Sequence, residues 1–382
     1  MNAGFRWHPE ARLFDGAGRE YFAAGVGPGV IAERPAGVAV GLAIAAGAFR
    51  VGGVGPVPVG AFETLTSGSS GAPRRIRRSA DSWLRSFAVN SGLFGIGPGR
   101  RVAVLGGLAQ SLALYGALEG VHLGAEVHLL DDLRPGGQAV VLAERNPEFL
   151  YATPAQLRLI VAVGGPRAAG LEHILVGGSK LDAGLRARLQ LWAPAAVLHE
   201  FYGAAEASFI TLAGPDCPED SVGRAYPWVE IRVEAGEIWV KSPYLFESYA
   251  GDDPGGAKWD DGWLSVGEMG EMRGGFLYLS GRAGRMVTVA DQNVFPEEIE
   301  GFLLGLPGVR QAAVVPVADV LRGVHLVAVL QGEAGREAAI LAALRARLGT
   351  LKAPKRLIWL DEWPVLPSGK TDLRAIAAGV AG

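Results

Sequence analysis

The chain has 382 residues, of which 49% are apolar, and a formal net charge of −3. This length favours two domains over one, and the near balance of charge gives no basic stripe of the kind that binds nucleic acid. The single cysteine, Cys217, excludes an internal disulfide framework and is typical of a reducing compartment, so we expect a cytoplasmic protein.

The first part of the chain shows no targeting pattern. Its opening residues, MNAGFRWHPEARLF, lack the basic-then-apolar order of a signal peptide. The uncharged run from Pro35 to Phe49 is shorter than the ~20 residues that cross a bilayer, so we expect buried core and no membrane span. Residues 1–63 contain no recognisable motif.

From residue 101 onward, apolar segments alternate with amphipathic ones. RVAVLGG (101–107) and EVHLLDD (126–132) are typical of buried strands, and SLALYGALEGVHLG between them has helical periodicity. The alternation continues through EFLYAT, PAQLRLIVAV, HILVGGS, DAGLRARLQLWA and AVLHEFYG. This β–α–β order predicts an α/β fold with a parallel sheet.

The pattern changes twice further along. Between about 221 and 280, segments such as EIRVEAGEIWVKS predict antiparallel strands. After Arg282 a smaller α+β unit begins with PEEIEGFLLGL, where a proline at the first helical position and two glutamates favour a helix. The pattern then predicts strands at QAAVVPV and VHLVAVL, a helix at REAAILAALRARLG and a strand at RLIWL.

One loop, TSGSSGAPR (66–74), is rich in hydroxyls, backbone N–H groups and small residues. Such a loop can wrap phosphate oxygens, because glycine lets the backbone approach closely. It is not the standard P-loop, G-x-x-x-x-G-K-[ST]. Taken alone, a Ser/Gly-rich surface linker accounts for it equally well.

Three further motifs favour the phosphate-binding interpretation. The loop resembles T-S-G-[ST]-T-G-x-P-K of the adenylate-forming superfamily, which includes acyl-CoA synthetases, luciferases and peptide-synthetase adenylation domains. FYGAAE (201–206) resembles Y-G-x-T-E of that family, and LPSGKTDLR (366–374) resembles its terminal P-x-x-G-K-[IV]-x-R. GWLSVGEMGEM (262–272) and GRAGRMVTVADQNVFPEEIE (281–300) resemble the pair of family motifs that comes between these two in chain order. The resemblance covers roughly residues 64–382.

The resemblance implies two domains. Residues 1–281 would form a large AMP-binding domain with mixed and parallel sheets, and residues 282–382 a small mobile α+β domain. The family has a much longer stretch before the phosphate loop, so we expect part of the first subdomain to be trimmed.

The resemblance also assigns roles to matching residues. Those implied to bind the nucleotide are Thr66, Ser67, Gly68, Ser69, Ser70, Gly71, Gly177, Gly178, Ser179, Tyr202, Gly203, Glu268 and Arg282. Among them the loop residues would contact the β- and γ-phosphates, and residues 177–179 would line the adenine and acyl pocket. Tyr202 would stack on adenine. Glu268 and Arg282 would hold the ribose.

Three residues are implied to be catalytic. Arg74 replaces the family's lysine beside the phosphates and keeps its charge. Glu206 would hold Mg²⁺, a hard cation that binds carboxylate and phosphate oxygens. Lys370 would stabilise charge that develops on the α-phosphate.

Several of these roles have a structural alternative. Tyr202 could be a core aromatic, and the glycines at 177–178 could serve only a tight turn. Glu268 and Arg282 could be surface charges in a turn, and Lys370 an exposed lysine beside a glycine.

The chain departs from the family at several positions. Ala205 lacks the usual hydroxyl, and Glu268 is one methylene longer than the usual aspartate. Gly284 replaces Asp or Lys at the hinge. Thr288 replaces a lysine of the family. The glycine that follows this lysine in the family aligns with Ala290 or Asp291 in this chain. The adenylation half is therefore better preserved than the thiol half.

The implied function is an ATP-dependent, AMP-forming ligase that joins a carboxylic acid to coenzyme A. No equivalent of the aspartate that pairs with a substrate amino group is found, so a fatty or aromatic acid is expected. Gln110 stands where short fatty-acyl ligase-like members commonly have histidine. Two alternatives remain: an enzyme that loads an acyl carrier protein, and a degenerate member that binds ligand without turnover. The oligomeric state stays open, with a homodimer as one form.

Overall fold

The computed structural model describes residues 4–66, 74–251, 255–289, 292–319, 323–366 and 371–381. The strands, numbered in chain order, are β1 (Arg12–Phe14), β2 (Glu20–Tyr21), β3 (Val30–Ile31), β4 (Phe49–Val51), β5 (Ala61–Leu65), β6 (Arg75–Ser79), β7 (Arg101–Val104), β8 (Glu126–Leu129), β9 (Phe149–Ala152), β10 (His173–Gly177), β11 (Val197–Ala204), β12 (Ser208–Ala213), β13 (Arg224–Ala225), β14 (Glu230–Glu234), β15 (Glu237–Lys241), β16 (Ser248–Tyr249), β17 (Lys258–Asp260), β18 (Trp263–Ser265), β19 (Glu268–Arg273), β20 (Phe276–Arg282), β21 (Val287–Val289), β22 (Gln292–Val294), β23 (Val309–Asp319), β24 (Gly323–Gly332) and β25 (Arg356–Trp359). The helices are α1 (Ala36–Ala46), α2 (Ala80–Phe94), α3 (Ser111–Leu123), α4 (Pro135–Arg145), α5 (Pro154–Ala162), α6 (Ala183–Trp192), α7 (Pro296–Leu304), α8 (Glu337–Lys352) and α9 (Leu373–Ala381). None of the helices in these ranges combines the length and apolar character needed to cross a membrane.

A nine-stranded sheet forms the centre of the large domain, in the order β13-β12-β11-β10-β9-β7-β8-β1-β2. The neighbours from β11 to β1 are all parallel, and the pairs at both edges are antiparallel. Helices α3, α4, α5 and α6 connect successive parallel strands, because such strands cannot be joined by a tight turn. The predicted α/β fold with a parallel sheet is confirmed.

This sheet is buried on both faces. In β7, Val102 and Val104 face a core shared with α1, α2 and α3, whereas Ala103 faces a second core under α4, α5 and α6. Successive side chains point to opposite faces of a strand, so a strand buried on both faces must be apolar throughout. This explains the continuous apolar runs of the predicted strands.

The motif-free N-terminal segment contributes to two sheets. Strands β1 and β2 extend the nine-stranded sheet, and β3, β4 and β5 belong to a five-stranded sheet ordered β16-β6-β5-β4-β3. The run from Pro35 to Phe49 contains α1, most of which is buried as predicted, although Val38 is 42% exposed. Helix α4 was not predicted, because its first turn, Pro135 to Gly137, has low helix propensity.

The antiparallel region and the smaller unit also follow the sequence pattern. A six-stranded antiparallel sheet runs β17-β18-β15-β19-β20, with β14 beside β15. Beyond it lie the hairpin β21–β22 and the sheet β23-β24-β25, packed with α7, α8 and α9. Pro296 is at the start of α7, followed by Glu297 and Glu298 in its first turn, as predicted.

The smaller unit is joined to β20 by close packing. Gly281 has a φ of 151°, and a Cβ there would lie 2.6 Å from Glu297 Oε2 and 3.0 Å from Phe295 Cβ. Just after it, Arg285 forms an ion pair with Glu300 at 2.7 Å and donates to the carbonyl of Val314 at 3.2 Å. These contacts fix α7 and β23 against the end of the antiparallel sheet.

A network of polar side chains lies inside the large domain, between α2, α3 and β9. Glu119 is fully buried and accepts hydrogen bonds from Asn90 Nδ2 at 2.9 Å, Tyr115 Oη at 3.2 Å and Tyr151 Oη. Tyr226 Oη donates to Asn90 Oδ1 at 2.6 Å. Burial raises the pKa of Glu119 from its ordinary 4.5 to about 8, and the hydrogen bonds only partly oppose this. The carboxyl is therefore protonated at neutral pH.

We predict that Glu119→Gln changes the pH dependence of stability. In the folded protein Glu119 keeps its proton to about pH 8, whereas the unfolded chain releases it near 4.5. Unfolding therefore releases a proton in this window, and the stabilisation is complete below pH 4.5 and is lost as the pH rises through 8. One proton gives a slope of at most about 1.4 kcal/mol per pH unit.

Thermal unfolding of both proteins, followed by circular dichroism across this window, checks the prediction. The wild type should lose stability relative to Glu119→Gln as the pH rises. Glu144→Gln, at an exposed position of α4, is the control and should follow the wild type. Parallel curves for Glu119→Gln and the wild type would contradict the prediction.

Candidate active site

The parallel strands bring predicted site residues to one edge of the nine-stranded sheet. Gly177, the last residue of β10, is in register with Phe201 of β11. Gly178, just beyond the end of β10, therefore follows at the level of Tyr202, which continues β11 and pairs with Thr211 of β12. The carboxyl ends of strands in open α/β sheets are where ligands bind. The candidate site is therefore where this fold places ligands.

The turn after β10 requires glycine for conformational reasons. Gly178 has a φ of 99°, which other residues rarely adopt. A Cβ on the buried Gly177 would meet the side chain of Leu112 at 3.8 Å. Gly178 therefore serves the tight turn, as the structural alternative states. Ser179, which follows it, is exposed beside the strand ends.

Gly203 permits a close approach between β11 and β12. The register between these strands shifts at Tyr202 and Gly203, which marks a bulge. A Cβ on Gly203 would overlap the carbonyl oxygen of Ser208. The chain then turns, with Ala207 donating to the carbonyl of Ala204 at 3.0 Å. This bulge and turn carry Glu206 out of the sheet.

Tyr202 lies with Glu268 and Arg282. Its Oη is buried and has no hydrogen-bond partner among the residues that the structure describes. Burial, followed by the charge of Glu268, raises the pKa of Tyr202 well above its ordinary value, and Arg282 opposes this shift. A buried hydroxyl without a partner costs about 1–3 kcal/mol, so this atom is suited to a ligand.

Glu268 and Arg282 are paired across neighbouring strands. They are in register on β19 and β20, and Arg282 Nε donates to Glu268 Oε1 at 2.8 Å. The Glu268 residue is only 9% exposed. The alternative that these are surface charges in a turn is therefore wrong for Glu268, which is a buried strand residue.

The base of the predicted phosphate loop is closed by two hydrogen bonds. Thr66 N donates to the carbonyl of Arg74 at 2.7 Å, and Arg74 N donates to Thr66 Oγ1 at 2.9 Å. The loop is thus the connection of the β5–β6 hairpin. Ser111 Oγ, at the start of α3, donates to the carbonyl of Leu65 at 3.1 Å. Ser67, Gly68, Ser69, Ser70 and Gly71 lie outside the described residues.

Tyr249 brings the predicted catalytic residues Arg74 and Glu206 together. Its Oη donates to Glu206 Oε1 at 2.9 Å, and the Arg74 guanidinium lies 5.7 Å from the centroid of its ring. Burial, followed by the charge of Glu206, raises the pKa of Tyr249 to about 12. The sequence does not single out Tyr249, because it is 43 residues from Glu206 and has no motif around it.

Arg78 is a second residue that no motif identifies. It is 1% exposed and donates to the carbonyl of Tyr244 at 2.7 Å and to that of Ala205. Burial lowers the pKa of Arg78 to about 10, so it stays charged at neutral pH. Because Ala205 immediately precedes Glu206, this arginine fixes the backbone from which Glu206 projects.

The chemistry of Glu206 fits a magnesium ion held mainly by phosphate. No group of three or more His, Cys, Asp or Glu side chains that could share a metal occurs in the described part of the chain. Mg²⁺ usually binds through one or two carboxylates plus substrate phosphates, so one carboxylate beside a phosphate loop suffices. Lys370 lies in the segment 367–370, outside the described residues, and its role stays a prediction.

Sequence comparisons identify two matching regions. Residues 61–250 match the profile of AMP-binding enzymes, and residues 298–370 match the AMP-binding enzyme C-terminal domain. The chain is 34% identical over 322 residues to an uncharacterized acyl–CoA ligase of Bacillus subtilis, covering 80% of this chain and 66% of the relative. It is 30% identical over 340 residues to a 3-hydroxybenzoate–CoA ligase of Aromatoleum sp., covering 81% of this chain and 64% of that relative. The chain thus spans about two thirds of the length of these curated relatives.

Solved structures share the fold. An amide bond synthetase from Marinactinospora thermotolerans superposes with a TM-score of 0.74, covering 92% of this chain and 79% of that chain at 24% identity. An o-succinylbenzoate CoA synthetase from Bacillus subtilis superposes with a TM-score of 0.72 at 23% identity, covering 81% of this chain and 67% of that chain. Both confirm the prediction of a large N-terminal and a smaller C-terminal α/β unit.

We predict that Gly203→Ala destabilises the protein by roughly 1–3 kcal/mol, because the added methyl must displace the β12 backbone. Gly92→Ala in α2 is the matched control, since a Cβ there meets nothing within 4 Å. The control should be neutral or stabilise by up to about 1 kcal/mol. Urea unfolding of both variants checks this, and equal free energies of unfolding in the two would refute the close-approach argument.

Proposed function

Since the chain belongs to the AMP-binding enzyme family, we propose that it is an AMP-forming ligase that activates a carboxylic acid with ATP and transfers the acyl group to coenzyme A. The observation that carries this proposal is the grouping of Arg74, Tyr249 and Glu206 at the base of the phosphate loop. A cation, a phenol and a carboxylate there suit a triphosphate better than any apolar ligand.

Different groups of residues would bind different parts of the nucleotide. Arg74 and the loop that Thr66 closes would contact the β- and γ-phosphates. Glu206 would hold Mg²⁺, which supplies positive charge to the phosphate oxygens when bound. The pair Glu268 and Arg282, with the unpartnered Tyr202 hydroxyl, would receive the ribose and adenine end.

The proposed reaction has two steps. A carboxylate is a poor electrophile and must first be activated. One of its oxygens attacks the α-phosphorus of ATP as a nucleophile, the bond from that phosphorus to pyrophosphate breaks, and an acyl-AMP forms. The thiol of coenzyme A then attacks the acyl carbon and AMP leaves. Arg74 would neutralise the departing pyrophosphate, and Lys370 would stabilise charge at the α-phosphate.

The acid is proposed to be fatty or aromatic. The names of the related acyl–CoA and 3-hydroxybenzoate–CoA ligases support both the acid class and coenzyme A as the acceptor. An acyl carrier protein is the second candidate acceptor. Single-turnover transfer from preformed acyl-AMP to each acceptor distinguishes the two.

The domain border is proposed to lie at Arg282, between residues 1–281 and 282–382, with the smaller domain rotating between the two half-reactions. Strand β20 ends at Arg282, and separate cores follow it. Such rotations act as gating steps in catalysis. The packing of Gly281 on Glu297 would belong to one of the two orientations.

We predict that the protein catalyses acid-dependent exchange of pyrophosphate with ATP, tested on a panel of fatty and aromatic acids. Lys370→Ala should slow this exchange by about 10²–10³-fold, because it removes one preorganised charge. Lys355→Ala, at an exposed lysine of the same region, should behave as the wild type. If none of the acids in the panel supports exchange, the ligase function is rejected. Normal exchange in Lys370→Ala would reject only the role of that lysine.

Glu206→Gln should raise the Mg²⁺ concentration needed for half-maximal exchange, because a neutral amide is a weaker ligand for a hard cation. The measurement is a Mg²⁺ titration at saturating ATP and acid. Glu144→Gln serves as the control with one carboxylate removed elsewhere. If Glu206→Gln titrates like this control, Glu206 does not hold the metal.

A further inference from the structure

The segment that follows β15 holds Glu206 at two points. Phe246 N donates to the carbonyl of Glu206 at 2.7 Å, and Tyr249 Oη donates to Glu206 Oε1 at 2.9 Å. Arg78 also donates to the carbonyl of the preceding residue, Ala205. These contacts fix both the backbone and the carboxylate of Glu206, so its side chain has one set orientation.

Pairing between β6 and β16 sets the position of Tyr249. It is in register with Ile76 of β6, and the next residue, Ala250, donates from its N to the carbonyl of Arg75 at 2.8 Å. Arg74, two residues before Ile76, is the diagonal neighbour of Tyr249 on the same face, which accounts for the guanidinium over its ring. The strand pairing therefore brings one phenol into contact with a cation at the start of β6 and a carboxylate beyond β11.

The ring of Tyr249 is packed by two neighbours. Phe246 meets it edge-on, with the ring centroids 5.1 Å apart. Gly255 lies directly against it, because a Cβ there would overlap the Cδ2 and Cε2 atoms of the ring. A side chain at position 255 would displace the ring, so glycine there keeps the Tyr249 hydroxyl within reach of Glu206.

Packing explains the ring of Tyr249 but not its hydroxyl, because a phenylalanine would make the same ring contacts. The hydroxyl adds one hydrogen bond to a carboxylate, and such charge-assisted bonds are stronger than those between neutral groups. It engages Glu206 Oε1, whereas no donor among the described residues engages Oε2. One oxygen of Glu206 is therefore left for a cation.

This division of the two oxygens suits Mg²⁺. The ion binds through one or two carboxylates and takes its other ligands from substrate phosphates and water. A carboxylate that gives one oxygen to the metal can accept a hydrogen bond on the other, and such partners orient metal ligands. A glutamate that is already held also loses less side-chain freedom when it binds. The Tyr249 hydroxyl should thus strengthen binding of the magnesium–nucleotide complex.

We propose that Tyr249 is a positioning residue of the ligase: its hydroxyl presets Glu206 for Mg²⁺, and Gly255 holds the ring that carries this hydroxyl. The inference rests on the proposed function. Tyr249 acts through Glu206 and does not touch the reacting atoms. Its contribution should therefore depend on the metal and be absent when ATP binds alone.

Calorimetry of ATP binding without any acid tests the role of the hydroxyl. The dissociation constant of ATP is measured in excess EDTA and in excess Mg²⁺, and the ratio of the two is the gain from the metal. Tyr249→Phe should lower this gain by about tenfold or more and leave the constant in EDTA unchanged. Tyr278→Phe is the matched control and should keep the wild-type gain, since Arg273 lies 3.7 Å over the Tyr278 ring as Arg74 lies over that of Tyr249.

The role of Gly255 is tested by a matched pair. Gly255→Ala and Gly251→Ala each add a methyl group at a positive φ, 66° and 74°, so both introduce similar backbone strain. Only the first methyl meets the Tyr249 ring, because a Cβ on Gly251 has nothing within 4 Å. Gly255→Ala should lose the gain from the metal as Tyr249→Phe does, and Gly251→Ala should keep it. Equal gains in these two variants would overturn the role of Gly255.

The outcomes separate this inference from the proposed function. If Tyr249→Phe keeps the wild-type gain, the positioning role is overturned, while acid-dependent exchange would still support the ligase. An equal loss of ATP affinity in EDTA and in Mg²⁺ would show a general structural effect and would also overturn the positioning role. If ATP does not bind the wild type in excess Mg²⁺, the proposed function fails together with this inference.

Discussion

Parallel pairing in the nine-stranded sheet is the constraint on which the site depends. Parallel strands all point the same way, so β9, β10 and β11 must end at one edge and helices must return the chain to the other. That edge receives the turn at Gly178 and the bulge at Gly203. The parallel topology by itself therefore creates the ligand-binding edge.

The second part of the site comes from a different sheet, and Arg78 joins the two. It projects from β6 and binds carbonyls at Ala205 and Tyr244, on segments that follow β11 and precede β16. A buried guanidinium is costly unless its donors are satisfied, so these carbonyls and the arginine hold each other in place. This contact holds the backbone next to Glu206, whose side chain shares Tyr249 with Arg74 at the start of β6. Tyr249 then completes the contact from β16.

The ribose-side residues lie next to the start of the smaller unit. Arg282 is the last residue of β20 and pairs with Glu268, while the neighbouring Gly281 touches Glu297 of α7. A movement of the smaller unit would therefore act on the same strand that carries the proposed ribose contact. This adjacency gives a physical route from domain orientation to nucleotide binding.

The sequence by itself determined the parallel α/β sheet, the antiparallel region and the order of the four motifs. These are local features, since strand and helix periodicity and motif spacing are properties of short segments. Only the tertiary structure decided which residues complete the site. Arg78 and Tyr244 are 166 residues apart, and Tyr249 and Glu206 are 43 apart. Ser67 to Gly71 and Lys370 stay as the sequence predicted them, because they lie outside the described residues. Whether Glu268 is buried or exposed, and which hydroxyl meets Glu206, depends on how distant strands pack, and no local pattern encodes that packing.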